Sequence, residues 1–160
     1  MIPMPSWLAH LPHASVVARQ WVELEMVDRS PELVPITRLL DEARMQVEEE
    51  ARAKSLRIVV VPADDHVVVS RKHVVFVVAM LLEKAISMTP SGGRIALTAQ
   101  EFDHELVFAV YDSGTRGTPS NRFNYVAMEA AFALGGRVWS ALAPEGNLAF
   151  FSLPLAIDHN

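Results

Sequence analysis

The sequence contains no cysteine, which excludes disulfides, thiolate metal sites and a cysteine nucleophile. That fits a reducing compartment, and a cytoplasmic location is the expectation. Long apolar runs are missing as well. The longest, Val74 to Leu82, is less than half of the roughly 20 residues a membrane helix needs, so membrane insertion is not expected. The opening MIPMPSWLAHLP has neither the basic stretch nor the clean apolar stretch of a signal peptide. Positive charge is in short supply, with a formal net charge of −5 over 160 residues. Nucleic acid and anionic membranes are bound by basic faces, so neither is expected as a partner. Internal repeats and low-complexity segments are absent too.

What is present is the composition of one globular domain. The chain is 51% hydrophobic and 21% charged, and a single domain of this length can bury a sizeable core. Up to about Arg29 the pattern supports two readings. Val22, Leu24 and Met26 alternate with Glu23 and Glu25 as in a half-buried strand, whereas Val17, Trp21 and Leu24 share one helical face. Ser30-Pro31-Glu32 and Pro35 carry helix-start chemistry. Ile36, Leu39, Leu40, Ala43 and Val47 then recur at helical spacing, predicting one amphipathic helix to about Lys54. The Glu48-Glu49-Glu50 run reads as its solvated face.

Arg57–Pro62 and Val67–Val69 are β-branched runs flanking an Ala63-Asp64-Asp65 turn, and they read as a pair of strands. Ser70 can cap a helix from Arg71 to Met88 that is apolar nearly all round and therefore central. Pro90-Ser91-Gly92-Gly93 closes it in a tight turn. Arg94–Gln100 and Glu105–Tyr111 form a hairpin through the Glu101–His104 turn. A polar loop from Asp112 to about Asn121 leads to a helix stopped at Gly135-Gly136. Arg137–Ala141 and Leu148–Pro154 make a terminal hairpin. Helices able to cover one face of hairpin-built strands predict a two-layer α/β sandwich, a mixed sheet with about three helices on one side.

Four stretches carry a resemblance: LLEKAISMTPSGGRIALTA (81–99), LVFAVYDSGTRG (106–117), ALGGRVWSALAPEGN (133–147) and FFSLPLA (150–156). Together they resemble the ATP-binding fold shared by gyrase, the ninety-kilodalton heat-shock chaperone, MutL and histidine kinases, the Bergerat-type or GHKL fold. The nearest likeness is to the ATP-binding domain of sensor histidine kinases. It covers roughly residues 30–156, leaving 1–29 as an N-terminal segment, a strand or interface, and 157–160 as a tail.

The resemblance implies a nucleotide pocket, and this sequence departs from it repeatedly. The family's second helix carries two asparagines one turn apart, the later one holding the magnesium of ATP; the aligned residues are Met80 and Lys84. An ammonium cannot ligate a cation, and magnesium takes oxygen ligands. Asp112 matches the adenine-reading aspartate and Gly114 the glycine that lets backbone approach the base. Arg116 stands where a second glycine is expected. The phosphate-wrapping glycines fall at about Asn121 and Phe123, and Leu148 stands where a threonine often supports the adenine aspartate. A phosphoacceptor is missing as well, since His10 and His13 lie in a short proline-flanked stretch.

Each singled-out residue also has a plainer role. Asp112 is either an adenine contact or a turn-initiating Asp in Asp-Ser-Gly. Lys84 is either a tethered cation touching phosphate or a snorkelling lysine paired with Glu83 or Asp112. Arg116 grips phosphate or a partner carboxylate, or is solvated. His10, His13, His66, His73, His104 and His159 show no ligand pattern, so no metal site is expected. Ser113 has no His and acid partners in recognisable order, and no catalytic residue is assigned.

The resemblance therefore implies a degenerate kinase-like domain. Its expected role is a protein-interaction module in two-component signalling, with ATP or ADP absent or weakly bound without the usual magnesium site. Expected partners are a response-regulator receiver domain, a histidine kinase or a second copy of the chain. The alternative is a divergent catalytic domain cut from a longer kinase, in which Asp112 and Gly114 hold adenine while Lys84 and Arg116 hold phosphate. A third class is an anti-sigma-like regulator.

Overall fold

The computed structural model describes Leu24, residues 30–114 and residues 121–155, without side-chain detail at 121–125. Seven strands and four helices follow in order: β1 (Glu32–Pro35), α1 (Ile36–Gln46), α2 (Glu48–Ala53), β2 (Arg57–Val60), β3 (His66–Val69), α3 (Arg71–Met88), β4 (Arg94–Phe102), β5 (Glu105–Asp112), α4 (Asn121–Ala133), β6 (Arg137–Ala143) and β7 (Gly146–Pro154).

β2, β4, β5, β7 and β6 lie side by side in that order. Only the β2–β4 pair is parallel, so the sheet is mixed. The period of two along each strand sorts side chains onto two faces. Ile95, Leu97, Leu106, Phe108, Val110, Phe151 and Leu153 are buried on the face covered by α1, α3 and α4. Phe108 and Phe151 stack there at 5.6 Å. This is the two-layer sandwich expected from the sequence.

α3 runs through the middle of the helical layer, against α1 on one side, α4 on the other and the sheet beneath. Every residue from His73 to Ile86 is buried, Glu83 and Lys84 included. A helix with neighbours on all sides has no polar face to keep, which is why its sequence is apolar throughout. At its end Thr89 Oγ1 donates to the Ala85 carbonyl (2.6 Å) and Lys54 Nζ to that of Ile86 (2.7 Å). These satisfy carbonyls that a helix terminus leaves without an intrahelical partner. Pro90 to Gly93 then closes a turn, with the Gly93 amide on the Pro90 carbonyl and Gly92 at φ +84°. That is the left-handed position a type II turn reserves for glycine.

Three expectations need correction. The predicted single helix to Lys54 breaks at Val47, whose φ of −114° and ψ of 9° leave the helical region, giving α1 and α2. Val47 is fully buried, so its apolar spacing continues the helical pattern while its backbone leaves the helix. β2 and β3 do not pair with each other. β3 instead pairs antiparallel with β1, with Leu33 opposite Val68, in a separate two-stranded sheet. The Ser30–Pro35 stretch therefore holds a strand before the helix starts. Arg71 at the head of α3 ties this ribbon down, reaching Glu32 at 2.9 Å and Glu42 at 2.7 Å.

The N-terminal segment lies outside the described residues except at Leu24, which is helical and packs on the core. Its carbonyl lies 2.9 Å from Nε2 of the fully buried His73, whose Nδ1 is 2.7 Å from the Ser70 hydroxyl. His73 is thus a structural histidine at the start of α3.

Candidate functional site

β5 ends at Asp112, and the chain turns there under the C-terminal end of α3. Asp112 is only 5% exposed. Its Oδ1 accepts the Gly114 amide and the Asn147 side-chain amide, both at 2.9 Å. These donors supply the hydrogen bonds that a buried carboxylate oxygen loses on leaving water.

Two close backbone approaches create this arrangement. A Cβ on Gly114 would sit 2.3 Å from the Met88 carbonyl oxygen, and one on Gly146 would sit 2.0 Å from the carbonyl oxygen of Asp112. Glycine at both positions lets the end of β5 press against α3 on one side and β7 on the other. Ser113 holds the same corner to β4: its amide donates to the Arg94 carbonyl (3.0 Å) and its hydroxyl accepts the Arg94 amide (2.9 Å). Ser113 is therefore structural.

Between α3 and the sheet lies a cavity of about 300 Å³ with Asp112 in its wall. Leu81, Lys84, Ala85 and Met88 form the helix side, and Leu142, Asn147 and Leu148 lie on the sheet side. A smaller neighbouring hollow of about 170 Å³ shares Leu81 and Lys84 and extends towards Met128 of α4. Volume and lining suit a planar aromatic group that hydrogen-bonds to Asp112 at one edge, as small-molecule sites generally combine apolar walls with few polar contacts.

Lys84 changes what the cavity can hold beyond such a group. It is 9% exposed. Burial pushes its ammonium below the usual lysine range, and the charge on Asp112 opposes part of that shift. The fold implies magnesium bound with ATP, and the donor set does not fit it. A hard dication wants several oxygens, whereas this wall presents a cation. Among the described residues no three His, Asp or Glu side chains converge as a cation site would need.

Of the residues singled out in the sequence, Asp112 and Lys84 line this cavity, and Gly114 is held to Asp112 through its amide. Arg116 and residues 118–120 of the phosphate-side loop lie outside the described residues, as do the side chains of Asn121 and Phe123. Met80 is buried and is absent from the cavity lining. The missing support at Leu148 is made good by its neighbour Asn147, which faces Asp112 across the β5–β7 ladder. Sequence reasoning missed Asn147. The available signal was the Glu145-Gly146-Asn147 turn, which fixes the register at Asp112.

A mixed five-stranded sheet under one helical layer is the architecture of the catalytic domains of sensor histidine kinases. Solved structures bear this out. A solved chain of the Acinetobacter baumannii histidine kinase AdeS superposes with a TM-score of 0.70 at 14% identity, covering 85% of this chain and 73% of that one. The catalytic domain of the histidine kinase ThkA gives 0.67 at 18% identity, over 78% of this chain and 95% of that domain. The cytoplasmic segment of the histidine kinase QseC gives 0.62 at 17% identity, over 98% and 99%. At such identities the likeness is one of fold. No family model matches the sequence, and no curated protein does. Among the described residues no helix is long and apolar enough to cross a membrane.

Proposed function

We propose that this chain is a degenerate histidine-kinase-like domain, spanning about residues 30–156, that acts by protein contact in two-component signalling inside the cell. Its ATP binding is lost or weakened. The observation that carries this reading is the buried Lys84 ammonium in the cavity wall, where magnesium-bound nucleotide would need an oxygen ligand. A fold can persist while the site built on it changes. Partners of the expected kind are a receiver domain, a histidine kinase or a second copy. ThkA, one of the similar structures, was solved in complex with the response regulator TrrA, and this chain spans 46% of that ThkA chain.

A second reading is favoured by the intact Asp112 corner. In it the chain is the nucleotide-binding part of a divergent kinase, with Asp112 and Gly114 holding adenine and Lys84 and Arg116 holding phosphate without a metal. ShkA, another similar structure, was solved with AMPPNP.

Calorimetric titration with ATP and ADP, with and without magnesium, separates the two, using Asp112→Ala as the control. The interaction reading expects no heat up to about millimolar nucleotide, equivalent to binding weaker than roughly −4 kcal/mol. Micromolar binding that ignores magnesium and vanishes in Asp112→Ala overturns it in favour of the second.

A further inference from the structure

One edge of the main sheet combines open hydrogen-bonding groups with a cluster of positive charge. β2 is one of the two edge strands, with β4 as its neighbour in the sheet. The Arg57 amide donates to the Gly93 carbonyl at 3.4 Å and the Val61 amide to that of Leu97 at 2.9 Å. Alternation along a strand therefore turns the Ile58 and Val60 amides to the opposite, outer edge. Val59 and Val61 are 46% and 45% exposed on the face away from the core.

Beside this edge, between β2 and the α1–α2 corner, lies a groove of about 400 Å³. Arg44, Arg52 and Arg57 line it together with Ile58, and Glu48 is its one acid. Arg44 and Arg52 share that carboxylate at 3.6 and 3.4 Å, in pairs whose side chains are 32% to 75% exposed. Exposed pairs of this kind are weakly held and readily exchanged. Two guanidinium groups against one carboxylate, with Arg57 beside them on β2, give the groove a positive balance in a chain of net charge −5. Sheet edges are commonly protected from association by a charge on the strand, and Arg57 alone would serve that end. Two further arginines brought in from the helices make a lined groove next to the open amides.

We infer that the β2 edge takes an extended acidic segment of a partner protein as an added strand. Its inward side chains are acids placed at Arg44 and Arg52, and its outward ones are apolar and lie beside Val59 and Val61. Main-chain bonds to the Ile58 and Val60 amides set its position, and alternate side chains set its specificity. This rests on the interaction reading above and says where and by what chemistry the partner binds.

The probe is a capped, fluorescently labelled peptide of alternating Glu and Val, titrated into the full chain and followed by anisotropy. A Glu-Pro peptide of equal charge is the control, since proline has no amide to donate to a strand. The Glu-Val peptide should bind and the Glu-Pro peptide should not. Arg44→Glu and Arg52→Glu should each weaken binding about tenfold, with circular dichroism and melting checking that the fold is kept. Hydrogen exchange should slow at Ile58 and Val60 when the peptide is present. No binding at millimolar peptide, equal binding of the Glu-Pro peptide, or arginine variants that bind like the original would each overturn the inference. A failure here is read from peptide titration and leaves the nucleotide titration unaffected, so the two conclusions fall separately.

Discussion

Gly114 and Lys84 are the two residues on which the cavity turns, one by having no side chain and the other by having a charged one. A methyl group at 114 meets the Met88 carbonyl oxygen at 2.3 Å, and that oxygen belongs to a helix end that cannot easily retreat. Gly114→Ala should therefore lower stability by about 1–3 kcal/mol, the usual cost of overpacking, read from urea denaturation at neutral pH. Lys84 gives a test in pH. Its pKa in the folded chain lies below the unfolded value because burial disfavours the charge. Over the interval between those two values the unfolded chain binds more protons, so stability rises with pH. Denaturation midpoints should climb as pH approaches 10.5 from below, and Lys84→Met should remove this contribution. A slope unchanged in the variant would mean that Lys84 is not the group responsible.

At the scale of elements, α3 carries most of the organisation. Its burial from His73 to Ile86 makes it sensitive along its whole length. Leu82 is fully buried, and Leu82→Ala should cost about 2–5 kcal/mol. Ser87, exposed one turn further on, should tolerate Ala within about 0.5 kcal/mol. Arg71 is a different kind of contact, a partly exposed guanidinium shared between Glu32 and Glu42. Both hydrogen bonds, Glu42's first, hold its pKa above the usual arginine range. Arg71→Met should cost about 1 kcal/mol, shrinking as salt is added. Parallel denaturation series on the three variants check this order.

For the molecule as a whole, the informative question is how the first 29 residues relate to the rest. The contact between the Leu24 carbonyl and buried His73 links that segment to the head of α3. Removing residues 1–29 takes this partner from a buried ring nitrogen. Residues 30–156 alone should still fold but should lose about 1–3 kcal/mol, the cost of a buried polar group losing a hydrogen bond. Equal stability of the two forms would mean that the contact adds nothing to the domain.

Much of the fold was legible because it depends on local pattern. The turn at Gly92-Gly93, the stop at Gly135-Gly136 and the alternation in β4, β5 and β7 are properties of a few neighbouring residues. The all-apolar run of α3 announced its central place for the same reason. Other features depend on which segments meet, and neighbouring residues do not encode that. The pairing of β1 with β3 joins stretches more than thirty positions apart, so β2 and β3 looked like partners only because they are adjacent in sequence. Asn147 becomes the partner of Asp112 through a strand register spanning 35 positions. The arginines of the β2 groove come from a strand and two helices. The sequence by itself determined most of the elements, the aspartate at the end of β5 and the lysine within α3. Only the tertiary structure decided that the aspartate is held, that the lysine is buried beside it and that one sheet edge lies open among arginines, because burial and long-range register arise only once the chain has packed.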